Sequence, residues 1–189
     1  KRQKWTLYSC IFGTLTRGRV EGIVTIRYQD KSTYEGPYIG EEWLDENGRV
    51  IPTGRTTNHW GIYTCVDGRI FEGKLVDNHF DTDNIQGVHR LRLTNGEIYE
   101  GEFCDERFHG IGVYKYNDGT VYEGFWHCNK RYGHGRQSGD GYIYEGRFEN
   151  DVKAGDGIFS FNDGSIYIGE WQLDKYHGRG IFISRLHDV

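Results

Sequence analysis

The sequence predicts an all-β protein, an elongated single-layer antiparallel sheet of about seven stacked β-hairpins with insertions in its N-terminal repeats. Three observations carry that expectation. The triplet Tyr99-Glu100-Gly101 returns as Tyr122-Glu123-Gly124, and Phe103, two places after the first glycine, returns as Trp126. Around each such glycine, apolar and polar residues alternate at period two, which is a strand pattern and not a helical one. Finally, 28 Gly stand against 2 Pro while 15% of residues are aromatic. Disordered Gly-rich linkers lack that aromatic content, so this chain buries its rings.

The glycine of each triplet serves as an anchor. Gly13, Gly36, Gly73, Gly101, Gly124, Gly146 and Gly169 follow one another at steps of 23, 37, 28, 23, 22 and 23 residues, by subtraction. The two longer steps are one repeat plus insertions of 14 and 5, placed near 37–53 and 77–83. The chain therefore divides into an N-terminal tail (1–9), degenerate repeats one to three (10–97), regular repeats four to seven (98–183) and a C-terminal tail (184–189).

Each regular unit reads as two strands. The first centres on the anchor, with Ile11, Tyr34, Phe71, Tyr99, Tyr122, Tyr144 and Tyr167 two places before it. Leu15, Tyr38, Leu75, Phe103, Trp126, Phe148 and Trp171 stand two places after it. A polar stretch such as Cys104 to His109 leads to a glycine pair, as in Gly110 and Gly112, and then to a second strand such as Val113 to Tyr116. Asp118-Gly119, Asp140-Gly141 and Asp163-Gly164 close the units, a pairing that suits a tight turn. Two strands cannot bury their own apolar face, so successive hairpins must pair edge to edge. The anchor, lacking a Cβ, leaves room for a ring to lie across the backbone. In the fifth repeat Arg136-Gln137-Ser138-Gly139 replaces the aromatic second strand, which makes 136–140 the expected weak point.

The unit Tyr-Glu-Gly-x-Trp/Phe-x(6)-Gly-x-Gly-x-Tyr-x-Tyr-x-Asn-Asp-Gly, clearest from Tyr99 to Gly119, resembles the MORN repeat (membrane occupation and recognition nexus). The resemblance is strong over 98–183 and weaker over 10–97, with Phe12 and Ile168 where Glu is usual. It implies a non-catalytic protein–protein interaction scaffold, cytoplasmic, in a cytoskeletal, ciliary or membrane-associated assembly. Such a scaffold would bind a partner segment, or a second copy of itself as a homodimer. The resemblance also leaves open a phospholipid-binding surface, or an accessory array of a larger enzyme.

The partner-binding residues expected on this reading are the aromatic columns Tyr99, Phe103, Tyr122, Trp126, Tyr144, Phe148, Tyr167 and Trp171. A single-layer sheet without covering helices should leave part of them accessible, and large accessible apolar surfaces are contact sites. Trp171 is the expected hot spot, since no eighth repeat follows to cover it. Unpaired backbone at the edge strands near residues 10 and 182 favours self-association.

Other functions fit less well. A net charge of −5 and a pI near 5.9 argue against nucleic acid, which needs a basic face. The one basic cluster, Lys1-Arg2-Gln3-Lys4, reads as a solvated tail, and the acidic residues disfavour membrane lipid. A glycan-binding aromatic repeat would lack the recurrent Glu and the glycine pairs. No apolar run is long enough to span a membrane as a helix. The chain begins at Lys1 and contains no Met, which reads as an excised piece of a longer protein. Cys10, Cys65, Cys104 and Cys128 show no CxxC spacing, which fits a reducing compartment.

No catalytic residue, cofactor, metal or small-molecule substrate is expected. Glu35, Glu72, Glu100, Glu123 and Glu145 form a column, but successive members lie two strands, about 10 Å, apart. That exceeds the ~5–5.5 Å of a carboxylate nucleophile pair, so the column reads as an acid stripe on a solvated face. Cys104 and His127 share a column at the same separation of about 10 Å, too far for one zinc. His109 and His177 read as polar turn residues, which leave at most a zinc shared between two chains. Phosphate-loop and nucleophile-elbow motifs are absent.

Overall fold

A computed structural model describes residues 11–16, 19–28, 30–44, 50–52, 60–76, 79–80 and 89–185. The N-terminal tail, its basic cluster and the last four residues lie outside the described residues. No helix occurs among the described residues, and every paired strand is antiparallel.

The chain forms two units, 1–94 and 95–189. In the first, the strands are β1 (Ile11–Thr16), β2 (Arg19–Arg27), β3 (Thr33–Leu44), β4 (Val50–Pro52), β5 (Trp60–Thr64), β6 (Ile70–Val76), β7 (His79–Phe80) and β8 (His89–Arg92). They run β1-β2-β3-β5-β6-β8, with β4 on β3 and β7 on β6. The described residues of the first insertion are sheet: β3 continues past its pairing with β5 and takes β4 through Glu42, Trp43 and Leu44. Of the second insertion only His79 and Phe80 are described, paired to the end of β6.

The second unit is an uninterrupted meander of β9 (Ile98–Cys104), β10 (Arg107–Lys115), β11 (Val121–His127), β12 (Lys130–Gly139), β13 (Tyr142–Glu149), β14 (Val152–Phe161), β15 (Ile166–Gln172) and β16 (Lys175–Ile183). Its two ends turn differently. Asp105-Glu106, Cys128-Asn129, Asn150-Asp151 and Leu173-Asp174 each place two consecutive non-glycine residues at positive φ, between 49° and 73°. Such pairs give the two-residue hairpin whose twist matches the flanking strands. The Asp-Gly end is the wider turn: Gly119, at φ 84°, donates its amide to the Tyr116 carbonyl, while the Asp118 carboxylate accepts the Thr120 amide at 2.8 Å.

The tight turns also clamp one repeat to the one before. The Asn129 side-chain oxygen accepts the Phe108 amide at 2.7 Å, and the Asn129 amide donates to the Phe108 carbonyl at 3.0 Å. Asp151 does the same to Arg131, and Asp174 to Lys153. The polar stretch between the strands is therefore the fastening between hairpins.

Strand pairing runs without a break through the expected weak point. β12 pairs with β11 as far as Ser138 and with β13 as far as Gly139. The missing rings are replaced from the next strand: Tyr142 occupies the space a Cβ on Gly139 would need, stacks on Phe159 at 5.2 Å, and accepts a hydrogen bond from Gln137 at 2.7 Å. One aromatic from repeat six thus fills the gap left by repeat five.

Burial of the tyrosines gives the fold a pH signature. Burial pushes the Tyr34 and Tyr63 phenols up to about 12, and those of Tyr99, Tyr114, Tyr122 and Tyr144 higher still. In the unfolded chain these phenols ionise near pH ~10. Their stabilising contribution is therefore complete below about pH 10 and is lost as pH rises from there through the folded values. Burial also raises Tyr116 and Tyr176, and Lys153, whose pKa burial lowers, acts in the opposite sense between its lowered value and its ordinary one, but it is one group against eight tyrosines. A cooperative loss of β signal above about pH 10, with a step in phenolate absorbance, is the expected result. Gradual ionisation near pH ~10 with the sheet retained would contradict tyrosine burial as the cause.

Candidate functional site

The two faces of the second unit follow from strand alternation at each anchor. Tyr122, Gly124 and Trp126 point to one face, and Glu123 and Phe125 to the other. The register aligns the glycines of all eight strands into one row: Gly101, Gly112, Gly124, Gly135, Gly146, Gly157, Gly169 and Gly180 are successive cross-strand partners.

On the aromatic face each tyrosine folds back over this row. The Tyr122 hydroxyl donates to the Phe125 carbonyl at 2.9 Å, and Tyr99, Tyr144 and Tyr167 make the equivalent bond to Glu102, Arg147 and Glu170. The ring then covers both glycines of its hairpin: a Cβ on Gly135 would lie 2.4 Å from Tyr122 Oη, and one on Gly124 would lie 2.7 Å from it. The aromatic two places after the anchor stands edge-on to this ring, as in Tyr122 and Trp126 with centroids 5.1 Å apart at 89°. Trp126 also meets Tyr99 of the preceding repeat at 5.5 Å, so the packing continues from hairpin to hairpin.

This packing corrects the expected partner site. Tyr99, Phe103, Tyr122, Trp126, Tyr144, Phe148, Tyr167 and Trp171 are all buried, none more than 8% exposed. They form the core and offer a partner no surface. What covers them is a column seven places after the anchor, opposite the second aromatic of each hairpin. Phe108 stacks on Tyr99 at 3.9 Å, and the Arg131 guanidinium lies over Phe148 and Tyr122 at 5.0 and 5.7 Å. The Lys153 ammonium sits 5.2–5.5 Å from the rings of Tyr142, Tyr144, Phe159 and Trp171, and Tyr176 lies 4.1 Å from Tyr167. Trp171 itself, expected to be open, is 5% exposed because Tyr176 packs against it at 4.7 Å. A Trp171→Ala variant therefore tests folding and not contact.

The accessible face is the other one. Between Glu123 and Ile168 the glycine row floors a groove of about 630 Å³, bordered by Glu123, His134, Arg136, Glu145, Asp156, Ile158 and Ile168. One cross-strand row supplies Glu123, Arg136, Glu145, Ile158 and Ile168 as successive partners along its border, and Ile181 continues the row beyond the groove. The row is charged at its β11 end and apolar at its β16 end. Ile158 and Ile168 are each 42% exposed and Ile181 is 64% exposed.

The expected acid stripe is also interrupted. Glu145 pairs with Arg136 at 3.0 Å, Glu100 with Lys115 at 3.8 Å and Glu72 with Arg90 at 3.5 Å. The residues Cys104 and His127, considered as a metal pair from their column, are not brought together as one. His127 lies instead beside His109 and Cys128.

The family model described as MORN repeat matches residues 99–121, 144–166 and 167–185. The unmatched stretch between the first two contains the fifth repeat's departure at Arg136-Gln137-Ser138-Gly139. No curated protein matches the chain.

Proposed function

For a chain in which the MORN repeat model matches residues 99–121, 144–166 and 167–185, we propose a non-catalytic interaction module that holds a protein segment in the groove above the glycine row. Repeats of this family occur in proteins that interact with other proteins or with membrane lipid. The observation that favours a protein is the row along the groove: exposed Ile158 and Ile168, continued by Ile181 beyond it, in line with Glu145, Arg136 and Glu123. An amphipathic segment with an apolar stripe and a basic end complements that row. Anionic headgroups do not, because the charged residues bordering the groove include Glu123, Glu145 and Asp156 against Arg136. The module is proposed to act in the cytoplasm, within a cytoskeletal, ciliary or membrane-associated assembly.

A second reading has its own observation. Among the described residues β16 is the last strand in the sheet order, pairs on one side only and is exposed along its whole length, so its outer backbone edge can pair with a second copy. The groove reading is tested with Ile158→Asp/Ile168→Asp, after the bound protein is captured through a photo-crosslinker at residue 168. Binding should weaken by about 2 kcal/mol or more, as at a hot spot, with the fold retained because both side chains are partly exposed. Unchanged binding, or equal binding of wild type and variant to anionic vesicles, would overturn it.

A further inference from the structure

We propose that His109, His127 and Cys128 form a zinc site at one corner of the second unit, independent of the groove. Register brings them together: Gly110 pairs with Trp126 across β10 and β11, which sets His109 beside His127, and Cys128 follows in the turn to β12. The imidazole centroids are 5.0 Å apart, and Cys128 Sγ is 3.8 Å from His127 Nε2. One donor atom from each of the three lies within 4.8 Å of the others. Zinc bonds of ~2.3 Å to sulfur and ~2.0–2.1 Å to nitrogen, at a tetrahedral angle, put such donors about 3.6 Å apart. The cluster therefore needs only a small contraction to close on an ion.

Two further features point the same way. His109 Nδ1 is shielded from water and has no hydrogen-bond partner. A buried ring nitrogen left in that state is costly. The equivalent corners of the next hairpins carry Tyr132 with Glu149 and Asn150, and Ala154 with Gln172 and Leu173, so the constellation is not imposed by the repeat. Two imidazoles and a thiolate select a borderline-soft ion such as Zn²⁺ over Mg²⁺ or Ca²⁺. With three protein donors the fourth position is open to water. The bound ion ties β10 to the β11–β12 turn.

Cobalt titration of the whole metal-free chain tests this. Co²⁺ should bind in a single high-affinity site with the visible bands of a tetrahedral centre and a near-ultraviolet thiolate charge-transfer band, both removed by Zn²⁺. Cys128→Ala should abolish the charge-transfer band, and His109→Gln should weaken Zn²⁺ binding by more than about 100-fold, beyond the loss of an outer-shell partner. Cys104→Ala should leave the spectrum unchanged. Melting of each metal-free variant should match the metal-free wild type, while Zn²⁺ raises the melting temperature of the wild type and not of Cys128→Ala. A wild-type spectrum without the thiolate band, a band that survives Cys128→Ala, or one lost in Cys104→Ala would overturn the assignment.

Discussion

Trp126→Ala should cost about 3–5 kcal/mol of folding stability, the range for emptying a buried large aromatic site. The indole is only 5% exposed and meets Tyr99, Phe108, Tyr114 and Tyr122 within 5.8 Å. Its N–H donates to the Gly112 carbonyl at 3.2 Å, so truncation also leaves a buried acceptor with less satisfaction. Against a total stability of about 5–15 kcal/mol this is a large share, and it corresponds to a fall of roughly 6–20 °C in melting temperature. Phe125→Ala, one residue away on the open face, should cost less than about 1 kcal/mol, near the range for surface positions. Thermal melts of the two variants make the comparison. Equal losses would mean that the faces are assigned wrongly.

Gly124→Val should be nearly as damaging, for the opposite reason. A Cβ there would lie 2.6 Å from the Gly135 Cα and 2.8 Å from the His134 carbonyl oxygen, both backbone of the next strand, as well as 2.7 Å from Tyr122 Oη. The tyrosine has little freedom to yield. It is fully buried, its hydroxyl is bonded, and Trp126 and Phe148 stand edge-on to it at 5.1 and 5.0 Å. Strand β12 would have to move away from β11, at or above the ~1–3 kcal/mol typical of overpacking. Glu123→Gln, exposed on the other face, should change stability by less than about 0.5 kcal/mol. Denaturant titration of both variants should show a lowered midpoint for Gly124→Val alone.

The hairpins, the two strands of each unit and the role of the anchor were legible because they rest on residues that recur. Tyr-Glu-Gly is local: the ring at Tyr122 crosses its own Gly124 and bonds its own Phe125, all within one strand. The covering column is not legible in the sequence, which is why the sequence alone makes the aromatic face look like a surface. Phe108, Arg131, Lys153 and Tyr176 do one job with two rings and two cations, so no residue type marks the position. The groove escaped notice for a different reason. Its floor is the backbone of the glycine row on the side away from Tyr122, and that row exists only once the register sets Gly124 against both Gly112 and Gly135. The histidine–cysteine corner required a comparison across repeats, eight places after one anchor against three and four places after the next. Column-by-column reading separates what the diagonal joins.

Residue-resolved hydroxyl-radical footprinting of the intact chain tests most directly whether the aromatic columns are core and the glycine groove is surface. Tyr122, Tyr144, Phe148 and Trp126 should be protected, whereas Phe125, Tyr132, Ile158 and Ile168, all more than 40% exposed, should be modified readily. Fast oxidation of Tyr122 and Trp126 together with protection of Ile158 and Ile168 would contradict the account, and would return the contact surface to the aromatic face.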